Sequence, residues 1–325
     1  MIKILFAGSP EAAKKTLEIL NQAARTDSPY NAIFEIAGVL SNPPSAKGRH
    51  KELIPTPVAA YAQTQNIPVF TPEHLDGGAR EVIAPLGADL LVSFAYGHIF
   101  GPKFLSLFPL GGINLHPSLL PKYRGCTPVP AAILNRDKET AVTVQTLSLK
   151  MDEGDILAQT LVPLNGSETG ESLLNYSAEE GAKLILEVIK KTAKEGKLPA
   201  GQPQTGAASY TSIITKEDGR INWKESAAVT EAKIRAYYPD PGCWCMENNS
   251  PLRILEARLM PEEKAAAYEK EPDGKIVDFS KPDGILIKTA DGLLAVRKLQ
   301  RQGKNAMDYK SFMNGARNFI GTILE

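Results

Sequence analysis

Apolar runs and segments of helical spacing alternate through the first 195 residues, and this alternation constrains the fold more than any other feature. The run at residues 89–94 is almost continuously apolar, as expected for a strand of a parallel sheet covered on both faces. Strands that alternate with helices in this way predict an open, mostly parallel α/β sheet of the Rossmann-like type. We expect strands at residues 2–7, 34–40, 69–70, 89–94, 112–115, 140–147 and 156–164, and helices at residues 11–21, 55–65, 79–85 and 169–194.

A stretch rich in Gly and Pro at residues 196–208 predicts a linker. It would separate a catalytic domain at residues 1–195 from a second domain at residues 209–325. The second domain has one helical segment and several short β-rich runs between turn signals, which is typical of a small OB-like β-barrel. The helix is expected at residues 226–237, and the runs lie at residues 254–259, 274–279, 284–290 and 292–300.

The charge balance excludes one class of protein and leaves another open. Lys+Arg and Asp+Glu number 37 each, so the global basic field that marks many nucleic-acid-binding proteins is absent, and such binding would need a local patch. Three cysteines, Cys126, Cys243 and Cys245, argue against a disulfide framework. The sequence shows neither a secretory signal nor an apolar run of the roughly 20 residues that span a bilayer. We therefore expect a cytoplasmic protein without a membrane partner.

The turn after the first strand does not predict a dinucleotide site. It reads Gly8-Ser9-Pro10-Glu11, with one glycine where the dinucleotide fingerprint needs three. No acidic residue ends the second strand, at residues 34–40. A dehydrogenase is therefore disfavoured in spite of the similar sheet.

Two strand ends carry side chains suited to chemistry, at residues 94–99 and 114–121. Ligands of open α/β sheets bind outside the carboxyl ends of the strands. In an extended strand Asn114 and His116 project from one face, because side chains two residues apart share it. An amide can stabilise an oxyanion, and an imidazole can transfer a proton near neutral pH. From the residues alone, a structurally hydrogen-bonded strand end remains an alternative.

Asp152 is the natural partner of the imidazole, in a loop between the two last strands of the first domain. A carboxylate beside His116 would raise its pKa and orient the ring. The alternative is that Asp152 and Asp155 only form the turn. Local sequence does not decide between the two.

Together these segments resemble a known family. Residues 114–125 (Asn-Leu-His-Pro-Ser-Leu-Leu-Pro-Lys-Tyr-Arg-Gly) and 151–157 (Met-Asp-Glu-Gly-Asp-Ile-Leu) are similar to the signature and acidic loop of the folate-dependent formyltransferases. The resemblance implies catalysis by Asn114, His116 and Asp152, with 10-formyltetrahydrofolate as co-substrate and no metal. It also implies a folate site formed by Ser118, Leu119, Leu120, Pro121, Phe94, Tyr96 and Gly97.

Further segments resemble the branch of this family whose acceptor is charged initiator methionyl-tRNA. They are residues 3–10, the loop at 42–51 and the segment from Leu299 to Phe312. The resemblance, with local basic charge, implies tRNA contacts at Lys47, Arg49, Lys51, Lys298, Arg301 and Lys304. We expect a monomer with no stable protein partner.

Two other functions remain open at this point. One is formyl transfer to a sugar nucleotide, and the other is a non-catalytic folate- or RNA-binding protein on the same scaffold. Two positions also depart from the family pattern: Ser45 stands where arginine is common, and Asp240 where tryptophan is usual.

Overall fold

A computed structural model of the chain describes residues 1–25, 28–47, 52–316 and 318–325. It contains two compact units. The first comprises Met1–Pro128, Glu139–Pro163 and Leu174–Ser212, and the second comprises Val129–Lys138, Leu164–Leu173 and Ile213–Glu325. The predicted division at residues 196–208 stays a prediction.

The elements as far as residue 211 include every predicted strand and helix, and they add four short strands and two short helices that were not predicted. The strands are β1 (Ile2–Ala7), β2 (Phe34–Leu40), β3 (Ser45–Lys47), β4 (Glu52–Ile54), β5 (Val69–Phe70), β6 (Leu90–Ser93), β7 (Gly112–His116), β8 (Arg124–Gly125), β9 (Glu139–Thr146), β10 (Ile156–Pro163) and β11 (Tyr210–Thr211). The helices are α1 (Glu11–Arg25), α2 (Pro57–Thr64), α3 (Gly77–Ile83), α4 (Pro102–Leu105), α5 (Pro128–Leu134) and α6 (Gly170–Glu195), with a 3₁₀ turn at Ala84–Leu86.

Seven strands among the described residues form one open sheet in the order β10-β9-β7-β6-β1-β2-β5. The pairs from β7 to β5 are parallel, and β9 pairs antiparallel with β7 and with β10. The predicted open, mostly parallel Rossmann-like sheet is therefore confirmed. Its central strands bury both faces, because all four residues of β6 are inaccessible to solvent.

Two small pairings in the first unit were not predicted. Strand β3 pairs antiparallel with β4, and β8 pairs in parallel with β11. The second pairing holds residues 210–211 beside residues 124–125, eighty-six positions away in the chain. Each of these four short segments contains a polar or charged residue, so none has the uninterrupted apolar character of the two-residue strand predicted at residues 69–70.

Helix ends agree with local capping chemistry. Thr169 caps α6 by accepting a hydrogen bond from the backbone N–H of Ser172 at 3.1 Å, as its position in the sequence predicts. Helix α1 continues to Arg25 rather than ending at residue 21, because Gln22, Ala23 and Ala24 are good helix formers.

The second unit contains an antiparallel sheet in the order β12-β13-β16-β15-β14, with β17 paired to β16. Its strands are β12 (Cys243–Glu247), β13 (Ser250–Leu259), β14 (Ile276–Ser280), β15 (Gly284–Lys288), β16 (Leu293–Arg301) and β17 (Met307–Asp308), and its helices include α7 (Ala227–Ala236), α8 (Glu262–Ala266) and α9 (Tyr309–Gly315). Ser226 caps α7, close to the predicted bounds. Cys243 and Cys245 are buried strand residues, and Cys126 is exposed.

Backbone hydrogen bonds of residues 321–325 connect the two ends of this sheet. Gly321 donates to Ile276 at one edge, and Glu325 exchanges hydrogen bonds of 2.6 and 3.0 Å with Met246 at the other. Among the described residues β12 and β14 do not pair with each other directly. The second unit is therefore a barrel-like antiparallel sheet bridged by residues 321–325.

Candidate active site

Polar residues of three neighbouring strands of the first unit, β6, β7 and β9, lie opposite one another. Ser93 of β6 lies opposite Asn114 of β7, and Asn114 lies opposite Gln145 of β9. His116, two residues along β7, lies opposite Thr143. Because paired residues share a face of the sheet, the polar side chains of neighbouring strands project together at the sheet edge formed by the carboxyl ends of β6 and β7.

The carboxylate of Asp152 lies at the centre of this edge. Its Oδ1 accepts hydrogen bonds from Gln145 Nε2 at 2.9 Å and from Asn114 Nδ2 at 3.5 Å. Its Oδ2 accepts from the backbone N–H of Gly125 at 2.8 Å and lies 3.6 Å from His116 Nδ1. The structure thus brings together the three side chains that the sequence singled out, and the turn-only interpretation of Asp152 does not explain these contacts.

Both ring nitrogens of His116 have defined neighbours. Nε2 lies 2.9 Å from the carbonyl oxygen of Tyr123, and Nδ1 faces Asp152. A carbonyl oxygen only accepts hydrogen bonds, so Nε2 carries the hydrogen in this contact. The neutral ring therefore has its lone pair on Nδ1, where an incoming proton would be stabilised by the carboxylate.

Burial lowers the pKa of His116 below its ordinary value, against the opposing effects of Asp152 and of the Tyr123 carbonyl. The carboxylate does raise the pKa of His116, as expected, but the net shift of the pKa is downward, which is the reverse of our expectation. The side chain is only 5% exposed, so the imidazolium loses most of its hydration, and a carboxylate 3.6 Å away does not compensate. His116 is consequently a neutral base at neutral pH.

This lowered pKa predicts a pH-dependent stability. Between the folded-state pKa of His116 and the ordinary value near 6.5, the unfolded chain binds more protons than the folded one. The free energy of unfolding should therefore fall as pH drops below about 6.5. In His116→Gln this part of the fall should disappear, whereas His98→Gln at an exposed position should keep it. Urea unfolding of the three proteins at pH 7.5 and 5.5 measures the difference, and equal losses in all three would contradict the assignment.

The predicted folate segment divides into buried and accessible residues. Ser118 is fully buried, and its hydroxyl donates to the carbonyl of Lys122 at 2.6 Å while its own carbonyl accepts from Thr143 Oγ1 at 2.7 Å. Leu120 is buried, and Leu119 and Pro121 are half-buried. Ser118 therefore stabilises the turn, and folate contact by Ser118, Leu119, Leu120 and Pro121 stays a prediction.

The other predicted folate residues show the same division. Phe94 and Tyr96 are buried, and Tyr96 stacks on Phe100. Burial raises the pKa of the Tyr96 hydroxyl to about 12, so it stays protonated. Gly97 is exposed with φ +86°, and a side chain placed there would meet nothing within 4 Å. Open space at Gly97 is compatible with a ligand at this strand end, and folate contact by Phe94, Tyr96 and Gly97 stays a prediction.

The sequence missed the residues that surround Asp152. Gln145 is 1% exposed in β9, a strand otherwise composed mostly of short Val, Ala and Thr side chains, and a long amide side chain in such a run is the signal that marks it. Gln204 and Arg124 also belong to this network. Gln204 lies in the Gly/Pro-rich stretch, where nothing in the local sequence sets it apart.

The predicted tRNA contacts are only partly described by the structure. Arg49, Lys51 and the side chain of Lys47 lie outside the described residues. Lys298 is half-buried on β16, and Lys304 is exposed. Arg301 pairs with both carboxylate oxygens of Glu247, at 2.6 and 2.7 Å.

Neither a metal centre nor a membrane span accompanies this site in the part of the chain that the structure describes. Within the described residues we find no group of three or more His, Cys, Asp or Glu side chains placed to hold a metal ion. Over the same part of the chain, no helix combines the length and apolar character that a bilayer span requires.

Comparison with known families gives matches along most of the sequence. The family model described as formyl transferase matches residues 2–189, and the one described as formyl transferase, C-terminal domain, matches residues 213–317. The methionyl-tRNA formyltransferase of Treponema denticola is 43% identical over 328 aligned positions, which cover 98% of each chain.

Solved structures share the fold at lower identity. HypX from Aquifex aeolicus in complex with tetrahydrofolic acid has a TM-score of 0.63 and 14% identity, and the match covers 98% of this chain and 48% of HypX. This chain thus spans about half the length of HypX. The N-formyltransferase of Helicobacter canadensis, solved with folinic acid and dTDP-3-aminofucose, has a TM-score of 0.62 and 20% identity over 93% of this chain and 100% of that one.

Proposed function

This chain belongs to the formyl transferase family, and we propose that it transfers the formyl group of 10-formyltetrahydrofolate to the α-amino group of initiator methionyl-tRNA, for translation initiation. The observation that carries the proposal is the cluster of Asn114, His116 and Asp152 at one sheet edge. The identity of the acceptor is supported by the full-length similarity to the Treponema denticola enzyme.

The reaction forms one C–N bond and breaks another. The neutral α-amine attacks the formyl carbon, and the carbonyl oxygen becomes an oxyanion in the tetrahedral intermediate. Asn114 Nδ2 has two hydrogens, and Asp152 accepts from this nitrogen at 3.5 Å, which leaves one hydrogen for the oxyanion. A donor aimed at such an oxyanion typically contributes about 2.7–4 kcal/mol.

His116 is assigned the proton transfer. The attacking amine must lose a proton, and the departing folate nitrogen must gain one. Nδ1 of the neutral ring takes the proton from the amine and delivers it to the departing folate nitrogen, while Asp152 at 3.6 Å stabilises the ring in its charged form. Such transfer typically accelerates a reaction about 10²–10⁴-fold.

An assay with two alternative acceptors, offered in separate reactions, tests the proposal. Purified protein is incubated with 10-formyltetrahydrofolate and either charged initiator methionyl-tRNA or a nucleotide-linked amino sugar, and the formylated product is identified by mass spectrometry. We expect formylated product only in the reaction that contains the charged tRNA, and no product when Asp152→Ala replaces the wild type as a control. Product from the amino sugar alone would replace this function with sugar formylation, and binding without any product would indicate a non-catalytic protein.

The location and the oligomeric state follow from the proposed substrate and the domain content. Charged tRNA is a cytoplasmic substrate, so we place the protein in the cytoplasm. The second family domain is part of the same chain, and we propose that the protein acts as a monomer.

Basic residues of β16 and the following turn are proposed to contact tRNA phosphates. Lys298 and Lys304 lie in this segment, which we call the β16 patch. Arg301 also remains a proposed contact, but its guanidinium pairs with Glu247 and stacks over Phe312 at 4.5 Å. Because Arg301→Ala would also remove these stabilising contacts, the two lysines give the cleaner test.

The double variant Lys298→Ala/Lys304→Ala should bind tRNA more weakly and with a flatter salt dependence. Each lysine that neutralises a phosphate contributes about 0.7–0.9 to the slope of log K against log salt concentration. Filter binding across a range of KCl concentrations measures this slope. Lys224→Ala removes an exposed lysine of the same unit outside the β16 patch and should leave the slope unchanged. The same slope in all three proteins would remove the β16 patch from the tRNA interface.

A further inference from the structure

Gln204 makes an unusually large number of hydrogen bonds for a half-buried side chain in a Gly/Pro-rich segment. Its Nε2 has two hydrogens and three acceptors within hydrogen-bond distance, the carbonyl oxygens of Asp152 at 2.7 Å and of Gly154 at 2.8 Å and Gln145 Oε1 at 3.1 Å, so one hydrogen is shared between two of them. Its Oε1 accepts from Arg124 Nε at 3.1 Å and from a terminal guanidinium nitrogen at 2.8 Å. Both polar atoms of this amide therefore contact segments that surround Asp152. The nitrogen contacts its loop and β9, and the oxygen contacts Arg124 of β8.

The contact with Gln145 determines which way that second amide points. Gln145 Nε2 donates to Asp152 Oδ1 at 2.9 Å, and a carboxylate oxygen only accepts. The NH₂ group of Gln145 must therefore face Asp152, and its oxygen faces the other way. Gln204 donates to that oxygen, so it stabilises the orientation in which Gln145 supports the carboxylate.

Arg124 in turn orients Gln204. A guanidinium has donors and no acceptor, so it selects the oxygen end of the Gln204 amide. Arg124 is itself held by Glu153 at 3.1 Å and by the hydroxyl of Tyr210 at 2.9 Å. Its side chain is 11% exposed and that of Glu153 is 31% exposed, so the guanidinium is the better shielded partner of this ion pair. The Gln204 amide thus has one favoured orientation.

The backbone of Asp152 needs such support. Its φ of +53° lies in the left-handed region, which non-glycine residues rarely occupy. Such a conformation persists where surrounding contacts hold it. The two carbonyls that Gln204 binds belong to Asp152 and Gly154, on either side of Glu153.

We propose that Gln204 is a positioning residue for formyl transfer, which holds the loop at residues 152–154 and the Gln145 amide so that the Asp152 carboxylate stays beside His116. The inference rests on the proposed function for its kinetic consequence. Gln204 touches no reacting atom and acts through Asp152.

Gln204→Leu removes every hydrogen bond of the amide at similar volume, and Gln204→Glu keeps the acceptor for Arg124 without the donors. We expect both to lower kcat about tenfold, with the KM values for both substrates changed less than twofold. Gln202→Leu is the matched control, because the Gln202 side chain is exposed and its backbone makes the contacts with Ile156. Thermal unfolding of each variant verifies folding, and Gln204→Ala replaces any variant that does not fold.

A double-mutant cycle distinguishes positioning from general destabilisation. If Gln204 acts through Asp152, Gln204→Leu should have no further effect on kcat in an Asp152→Ala background. The acid limb of the kcat–pH profile should also move to lower pH in Gln204→Leu, because a displaced carboxylate raises the pKa of His116 less. A wild-type kcat in Gln204→Leu would overturn the proposal. It would also be overturned if Gln204→Leu lowered kcat as much in the Asp152→Ala background as in the wild type.

An activity-independent measurement separates this inference from the proposed function. The His116 ring resonances, assigned by comparison with His116→Gln, are titrated by NMR in wild type, Gln204→Leu and Gln202→Leu. We expect a lower midpoint in Gln204→Leu alone. If the midpoint falls in Gln204→Leu but the wild type does not formylate methionyl-tRNA, the proposed acceptor is refuted and the positioning role still stands. Unchanged midpoints in an active wild type would refute the positioning role alone.

Discussion

Asp152→Ala and Asn114→Ala are each expected to lower kcat by about 10²-fold or more while the protein stays folded. Asn114 supplies a hydrogen-bond donor at the strand end, and Asp152 stabilises the protonated form of His116 across 3.6 Å. The two losses should have different pH signatures. Loss of Asp152 should shift the acid limb of the kcat–pH profile, because its charge raises the pKa of His116, whereas loss of the neutral Asn114 should not.

Asp155→Ala is the matched control for Asp152→Ala. Asp155 lies in the same loop and its side chain is exposed, while its backbone N–H bonds to Thr146 Oγ1 at 2.9 Å. We expect kcat within about twofold of wild type, since surface substitutions away from such features usually change little. Single-turnover kinetics isolates the chemical step. A near wild-type single-turnover rate in a folded Asn114→Ala or Asp152→Ala protein would remove that residue from the mechanism.

Gly154→Ala should be the most damaging methyl addition near the site. A Cβ at this position would fall on the carbonyl oxygen of Thr146, which is backbone and cannot rotate away. The loop must then move relative to β9, where Thr146 and Asp155 are joined by backbone and side-chain hydrogen bonds. Overpacking of this kind typically destabilises by about 1–3 kcal/mol. A displacement of about 1 Å at a catalytic group can cost about 10² in rate.

We therefore expect Gly154→Ala to lower both the melting temperature and kcat. Gly101→Ala is the control, because nothing lies within 4 Å of the added methyl group and the backbone φ is −71°. Calorimetry and steady-state kinetics measure the two effects. Retention of wild-type kcat and stability would show that the loop tolerates displacement and that its exact placement is unimportant for Asp152.

Local periodicity in the sequence was enough to predict the sheet and the pairing of Asn114 with His116 in the site. The alternation of apolar runs and helical segments predicted all seven strands of the main sheet, and side-chain alternation along β7 put Asn114 and His116 on one face. Both inferences depend only on residues within a few positions of each other. The resemblance to a family, rather than this geometry, added Asp152.

Tertiary structure alone decided how the site is held together. Asp152 is 38 positions from Asn114, and Gln204 is 52 from Asp152, so their contacts depend on strand pairing and on the path of residues 202–211 beside β8. No pattern over a few residues encodes such distances. The sign of the His116 pKa shift was likewise outside the sequence, because it is set by burial of the ring against the attraction of one carboxylate. By itself the sequence determined which side chains the strand end offers; the folded chain decided their orientation and protonation, because both depend on neighbours that are distant in sequence.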